Sequence, residues 1–413
     1  MVLVLVAPGI VAQEKAMSMD ECINAALFSN YSLKSSYLEA QKAEDMIGTA
    51  FDLPKTGITI SQDATSGGSM DNGVTFSQEF EFPTVYFARR DALRADNQLQ
   101  ALRVNGQIAS VVNDVTLAYC DLIYAARRKE ILMEHDSICS QFLRIATIKF
   151  ENGETSRLEK INAERLYGEN QLALNRAEND YINSQLELKR LMGVDYVIAP
   201  SDSTTLKFEK PLLPVSLDYS LTEPGKIATQ QIAVNEKRLE VAKNELLPDI
   251  NFGITAQAFF KSFNPYHIER YRFEPGNFMG FEVGVSVPLF FGAQKAKVKA
   301  AKRDIEISKA QLADSKANAD AQYQALINQY VTESKELDYY EQTGLPEANE
   351  MIRIARVSYE LGDIGYVEYV QNLETAAEIM LGHAEALNRY NIVITKLNFL
   401  QSDKWKNYIG TAF

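Results

Sequence analysis

The sequence predicts a mainly α fold built from long coiled-coil hairpins, with a small β part of four strands. Three observations predict it. The stretch from Val85 to Phe150 contains no proline and repeats its apolar residues at intervals of three and four. Four short segments alternate apolar and polar residues. The whole plan is written twice along the chain.

The long stretch comes first because it is the hardest to place in an ordinary domain. Leu99, Leu102, Ile108, Val111, Val115, Ala118 and Leu122 follow helical spacing, and only Gly106 interrupts it. At 1.5 Å per residue such a helix is roughly 100 Å long. Globular helices average about 10–14 residues. A rod of this length is a coiled coil, a spacer or the wall of a duct.

Composition narrows the choices. The chain has 413 residues, is 46% hydrophobic and carries a formal net charge of -13. It has room for two or more domains. Its acidity argues against a nucleic-acid partner, which usually meets a basic patch. Cys22, Cys120 and Cys139 form no disulfide framework. Cys120 and Cys139 share the predicted rod about 28 Å apart and cannot bridge within one chain. Residues 1–13 read as a short signal-peptide core without its basic segment, with a small-residue cleavage site near Ala12 and Gln13. No cysteine follows closely, so no N-terminal lipid anchor is expected. No other apolar run of transmembrane-helix length is expected.

The first repeat spans 18–192. Ser18 to Glu21 forms a capping box, and a helix is expected to run on to about Phe51, where Leu53-Pro54 ends it. Ile58 and Ile60 alternate with Thr59 and Ser61. After a loop from Gly67 to Gly73, Val74, Phe76, Phe80 and Phe82 alternate with Thr75, Ser77, Glu79 and Glu81. Pro83 opens the rod, which turns at Lys149 to Gly153. A return helix covers about Ser156 to Met192. Residues 193–224 hold four prolines and read as an irregular connection with one short strand.

The second repeat, 225–401, follows the same plan. Leu247-Pro248 answers Leu53-Pro54. Ile250, Phe252, Ile254, Ala256 and Ala258 alternate with small and polar residues, and so do Phe281, Val283, Val285 and Val287 after an aromatic-rich loop from Phe263 to Phe278. Pro288 answers Pro83. A long helix with Gly344-Leu345-Pro346 inside it turns at Ser358 to Gly362, 209 residues beyond Gly153 (362 minus 153). A last helix covers about 365–400, and 402–413 read as a flexible tail. Duplication of this kind is a strong signal of architecture and a weak one of chemistry.

If the apolar strand faces meet lipid, the strands must belong to a closed barrel, because unpaired edges are too costly in hydrocarbon. Four strands cannot close around an open lumen. Several chains must then share the barrel, and its polar faces, with Glu79, Glu81 and Glu282, line water.

Several stretches together resemble the TolC family of bacterial outer-membrane efflux ducts. In the first repeat they are Ser18 to Leu27, Leu53-Pro54 before a strand, and Phe80-Glu81-Phe82-Pro83. In the second they are Leu247-Pro248-Asp249, Val287-Pro288-Leu289-Phe290, and Leu345-Pro346-Glu347-Ala348 leading to Tyr359-Glu360-Leu361-Gly362. The resemblance covers nearly the whole chain after the signal segment. It implies a homotrimer in which each chain gives four strands to a twelve-stranded barrel in outer-membrane lipid. The helices would continue the barrel as a periplasmic tunnel, with 193–224 in an equatorial belt. It further implies a periplasmic adaptor and an inner-membrane RND-type pump as partners, and export of metal cations or drugs. The heavy-metal branch is slightly the nearer of the two. Carried over onto this chain, Phe150, Gly153, Tyr359 and Gly362 match adaptor-contacting tips. Glu159 and Glu368 match acidic residues near a closed periplasmic aperture. Gln371 stands where some members carry a further acid, so a double acidic ring is not implied.

No catalytic site is legible. There is no phosphate loop, dinucleotide fingerprint or Gly-x-Ser-x-Gly, and neither an enzyme nor a cofactor is expected. His135 and Cys139 are i,i+4 neighbours with metal-ligand spacing, but two ligands do not by themselves make a site. His267 and His383 have no ligand cluster nearby. Aromatic residues flanking the strands, such as Phe263 and Tyr266, are equally suited to a membrane interface and to hairpin packing. The rival reading is a periplasmic coiled-coil adaptor or scaffold without a channel. It would require a lipoyl-like β module beside the hairpin, and none is found.

Overall fold

The computed structural model describes residues 14–62, 71–210, 213–259, 277–287 and 290–401. The signal segment, most of both strand-connecting loops with Phe263 and Tyr266, and the tail lie outside the described residues. Among the described residues six strands and eight α-helices carry the fold, and the chain falls into two compact units. One draws on residues 1–35, 105–222 and 317–413, the other on 36–104 and 223–316.

The first unit is held by long helices and a two-stranded sheet. β1 (Glu14–Met17) pairs in parallel with β4 (Val197–Pro200), Lys15 opposite Ile198. The sequence suggested one short strand in the connection, but not its partner ahead of Ser18. Side chains from the helices hold the pair in place. Tyr119, fully buried on α3 (Pro83–Glu151), donates its hydroxyl to the Met17 carbonyl at 2.8 Å. Gln185, on α4 (Arg157–Met192), donates to the Ile198 carbonyl at 2.9 Å. Both side chains add donors to carbonyls of this two-stranded sheet, where the Met17 carbonyl also accepts from the Ser201 N–H at 3.0 Å.

The expected helix from Ser18 to Phe51 is broken. It becomes α1 (Met19–Ser29), α2 (Tyr31–Ile47) and a 3-10 turn (Gly48–Phe51). The Ser18 capping box is present as predicted. The break is at Asn30, whose backbone is extended with ψ 124. Its side-chain amide donates to the Leu191 carbonyl at 2.7 Å, and its side-chain oxygen accepts from the Leu33 N–H at 2.9 Å. One residue therefore caps the end of α4 and starts α2. Gly193, with φ 65, ends α4 so close to this break that a Cβ on it would stand 2.5 Å from the Ser29 carbonyl oxygen.

The second-repeat rod is jointed where the first is continuous. α6 (Gly292–Tyr339) passes into a π turn (Tyr340–Gly344) and then α7 (Leu345–Leu361). Pro346 has no N–H to give the preceding turn, and a π turn is one way for a helix to absorb that loss. α8 (Tyr366–Gln401) packs along α7. Arg389 of α8 reaches Glu333 at 2.9 Å, Glu385 at 2.9 Å and Glu336, tying α8 to α6. Asn391 brackets the connecting segment, donating to the Leu206 carbonyl at 2.7 Å and accepting from the Phe208 N–H at 2.9 Å.

The second unit contains α5 (Glu223–Asn244), which ends three residues before Leu247, and the four-stranded sheet. Val234 of α5 packs on Ala95 and Leu99 of α3. Asn235 donates to the Ser308 hydroxyl of α6 at 2.6 Å. The sheet is antiparallel, ordered β2 (Gly57–Gln62), β3 (Asp71–Phe80), β5 (Asp249–Phe259), β6 (Asn277–Ser286). Asp71 to Gly73, read as loop from their turn-forming residues, belong to β3. An 18-residue window of α3 is apolar enough to cross a membrane by composition, contrary to expectation, but 56% of it is buried inside the protein. That burial is what a core helix shows.

Candidate functional site

The features that bear on function are the tips of the two helical hairpins and the faces of the four-stranded sheet.

Both tips close in the same way. Gly153 has φ 74, the Gly153 N–H donates to the Phe150 carbonyl at 3.0 Å, and the Glu154 N–H donates to the Lys149 carbonyl at 2.8 Å. Gly362 has φ 80, its N–H donates to the Tyr359 carbonyl at 3.1 Å, and the Asp363 N–H donates to the Ser358 carbonyl at 2.8 Å. Each is a Schellman closure that requires a left-handed residue after the last helical turn. Behind the tips, Phe142, Ala146, Ala163, Leu166, Tyr366 and Val370 form a buried cluster joining α3, α4 and α8. Tyr359 stacks on Tyr369 with ring centroids 4.9 Å apart and meets Tyr366 edge-on at 5.1 Å. Phe150 carries the Lys160 ammonium 5.4 Å from its ring. The structure thus brings the sequence-predicted tip residues to the two turns.

The two glutamates differ. Glu159 is half-buried in the first turn of α4, where its N–H donates to the Ser156 cap at 3.3 Å and its carboxylate accepts from Thr155. Glu368 is exposed, and Asn372 donates to its backbone carbonyl at 2.8 Å, leaving the carboxylate to solvent. No ion pair engages either one among the described residues. Gln371 is exposed one turn further along.

The sheet is two-faced in full register. Ile58, Phe76, Ile254 and Phe281 lie opposite one another on one face, and so do Ile60, Val74, Ala256 and Met279. The other face carries Thr59, Thr75, Thr255 and Gly280, with the Thr75 and Thr255 hydroxyls 3.1 Å apart. Among the described residues nothing covers the apolar face: Ile60 is 77%, Met279 80% and Phe281 81% exposed. Among the described residues β2 and β6 each leave one edge unpaired. Glu79 and Glu282 are exposed on the polar face. Glu81 is not: it lies past the end of β3, where alternation no longer sets direction, and pairs with Arg89 at 2.7 Å. An apolar sheet face of this size is stable in water only when covered, and an open edge only when blocked. A membrane supplies the first and further strands supply the second.

A family model of outer membrane efflux proteins matches residues 23–194 and 226–399. The chain belongs to the outer membrane efflux protein family. Its fold is that of the family's solved channels. It is similar to CusC (14% identity, 95% of this chain and 96% of the other, TM-score 0.73) and to the CmeC outer membrane channel of Campylobacter jejuni (15% identity, 98% and 94%, TM-score 0.70). It is also similar to the open state of the MtrE outer membrane channel of Neisseria gonorrhoeae (16% identity, 92% and 88%, TM-score 0.73). A comparison with curated proteins returns no match. As a member of this family the chain is an outer-membrane efflux channel that extends into the periplasm and works in a tripartite system. An adaptor and a pump are therefore its general partners. The family is one of transport channels rather than enzymes.

Proposed function

We propose that the chain forms a homotrimeric duct whose barrel closes from three copies of the β2–β3–β5–β6 sheet. The observation that carries this is the pairing of two open edges with an apolar face exposed along all four strands. One chain cannot close such a sheet around water, and lipid does not tolerate open edges. Glu79 and Glu282 then face the water-filled lumen, with Glu81 at its rim held by Arg89. Phe150, Gly153, Tyr359 and Gly362 meet the adaptor, which in turn couples the duct to an RND-type pump. Glu368, and to a lesser degree Glu159, sit near the periplasmic aperture, with Gln371 beside them. The single chemistry of the tip supports this reading: both turns present a glycine closure flanked by an aromatic residue.

A wide aqueous lumen makes few fixed contacts, so substrate choice belongs to the pump. The exported class is metal cations or drugs. Growth of a deletion strain against a panel of metals, dyes and antibiotics, with paralogous ducts also removed, distinguishes them. Sensitisation to one class assigns the duct to it. Unchanged growth on every compound would contradict efflux.

A further inference from the structure

Two helices of the first unit carry a second stripe that nothing covers among the described residues. The helices of that unit stand in a row. α4 packs on α3, with Arg128 2.8 Å from Asp180. α3 packs on α8, where Asp121 accepts from Asn388 at 3.1 Å. α8 packs on α7, with Tyr369 stacked on Tyr359. α4 and α7 are therefore the two flanks. On α4, Ala163, Leu166, Asn170 and Ala177 are buried. Two positions beyond each of them, Arg165, Gly168, Leu172 and Asn179 are exposed. Two residues turn a helix by about 200°, so this stripe points away from the buried one. Ile161, Ile182 and Leu186 extend it at the same spacing of three and four, and Leu172 is 61% exposed. α7 repeats the pattern. Ala348 and Ala355 are buried, while Glu350, Ile354, Val357 and Leu361 are exposed on the far side, Leu361 at 72%. A helix with apolar stripes on opposite sides belongs in a wall, with a neighbour on each side.

Gly168 gives a second sign. A glycine inside a helix costs about 1 kcal/mol relative to alanine. Among the described residues nothing requires it, because a Cβ on Gly168 meets no atom within 4 Å. The stripes also match in height. Asp121 stands 32 residues before the Gly153 turn, and its partner Asn388 26 residues after the Gly362 turn. Phe142 and Tyr366, with ring centroids 5.1 Å apart, stand 11 before and 4 after. The Gly362 turn is thus drawn back by six to seven residues, roughly 10 Å. In a ring of copies about an axis along the rods, every copy has the same height. Seven residues are one heptad, so α4 of one copy meets α7 of the next with their stripes in step. Ile161 falls opposite Leu361, and Gly168 opposite Ile354. Helical side chains lean toward the N-terminus of their own helix. Arg165 therefore leans toward the tip, to the level of Glu360 in the next copy. Glu350 of that copy leans the other way, to the level of Arg176. Opposite charges meet at both levels.

We propose that the exposed stripe of α4 seats α7 of a second copy of this chain, with Ile354 entering the notch at Gly168. This rests on the three-copy duct described above and names the faces that join its helical walls. Each copy gives α4 to one neighbour and α7 to the other, so the contact closes a ring.

The test uses the full chain in outer membranes, with Cys22, Cys120 and Cys139 changed to alanine so that only introduced thiols remain. Gly168→Cys combined with Ile354→Cys should give covalent dimers and trimers on mild oxidation, read on a non-reducing denaturing gel. Either change alone should give none. Ile161→Cys combined with Ile354→Cys stands one heptad out of register, roughly 10 Å apart, and should not link. Leu172→Cys should be shielded from a maleimide until the assembly is dissociated. The native mass of the unoxidised parent separates the two claims. Three chains with no link between 168 and 354, with a link only inside one chain, or with a link only at the out-of-register pair, overturn the seam and leave the trimer. So does free labelling of Leu172→Cys, which would make α4 a face for another protein. A parent of one chain overturns both.

Discussion

At the residue scale, the hairpin tips separate what a sequence shows from what a side chain does. Glycine at 153 and 362 was legible because few other residues take a positive φ after a helix. The two glutamates were legible as equivalent positions, six residues past each glycine. Their environments were not, because Thr155 lies in the turn and reaches Glu159, while the second turn offers Glu368 no such partner. The account therefore ranks Glu368 first at the aperture. Three copies around one axis would crowd like charges and attract multivalent cations. In planar-bilayer conductance, Glu368→Ala should weaken block by multivalent cations from the periplasmic side. Glu159→Ala should weaken it less. A double variant with wild-type block and ion selectivity would place the ring elsewhere. Glu81 teaches the same lesson: period two assigned it to the polar face, but the strand had ended and Arg89 claimed it.

At the element scale, most boundaries followed from local chemistry. α4 begins after the Ser156 cap and ends at Gly193, within a residue of the expected Ser156 to Met192. The strands followed from alternation, and their pairing face to face confirms the period. Three features were not legible, and each depends on residues far apart in the chain. β1 exists because β4 pairs with it 183 positions on, Glu14 opposite Val197. The break at Asn30 exists because Leu191 needs a donor there. The π turn has a local cause in Pro346, but a helix could equally have kinked or ended at that proline. The Asn30 reading is testable. Asn30→Ala removes a helix cap and leaves the Leu191 carbonyl without its donor, which should cost about 1–3 kcal/mol. Thermal unfolding in detergent should show a clear drop in midpoint. An unchanged midpoint would mean that the close fit of Gly193 on Ser29, not the amide, sets the break.

For the whole molecule, the duplication made the architecture readable before any contact was known. Two copies of helix, strand pair and long hairpin could be counted from prolines and glycines alone. The sequence implied several chains to a barrel, three by family resemblance, but not that the two strand pairs join into one sheet, β3 beside β5, whose edges and faces only the folded chain displays. The sheet displays them: an apolar face open along four strands and an unpaired edge on either side. The central claim is that this sheet is one third of a membrane barrel. The measurement that tests it most directly is the protein mass of the detergent-solubilised assembly, by native mass spectrometry or light scattering corrected for detergent. The account predicts three chains, each 46.3 kDa before any signal segment is removed, staying together through a salt wash of the outer membrane and extraction. A monomer, or release from the membrane by salt alone, would contradict it.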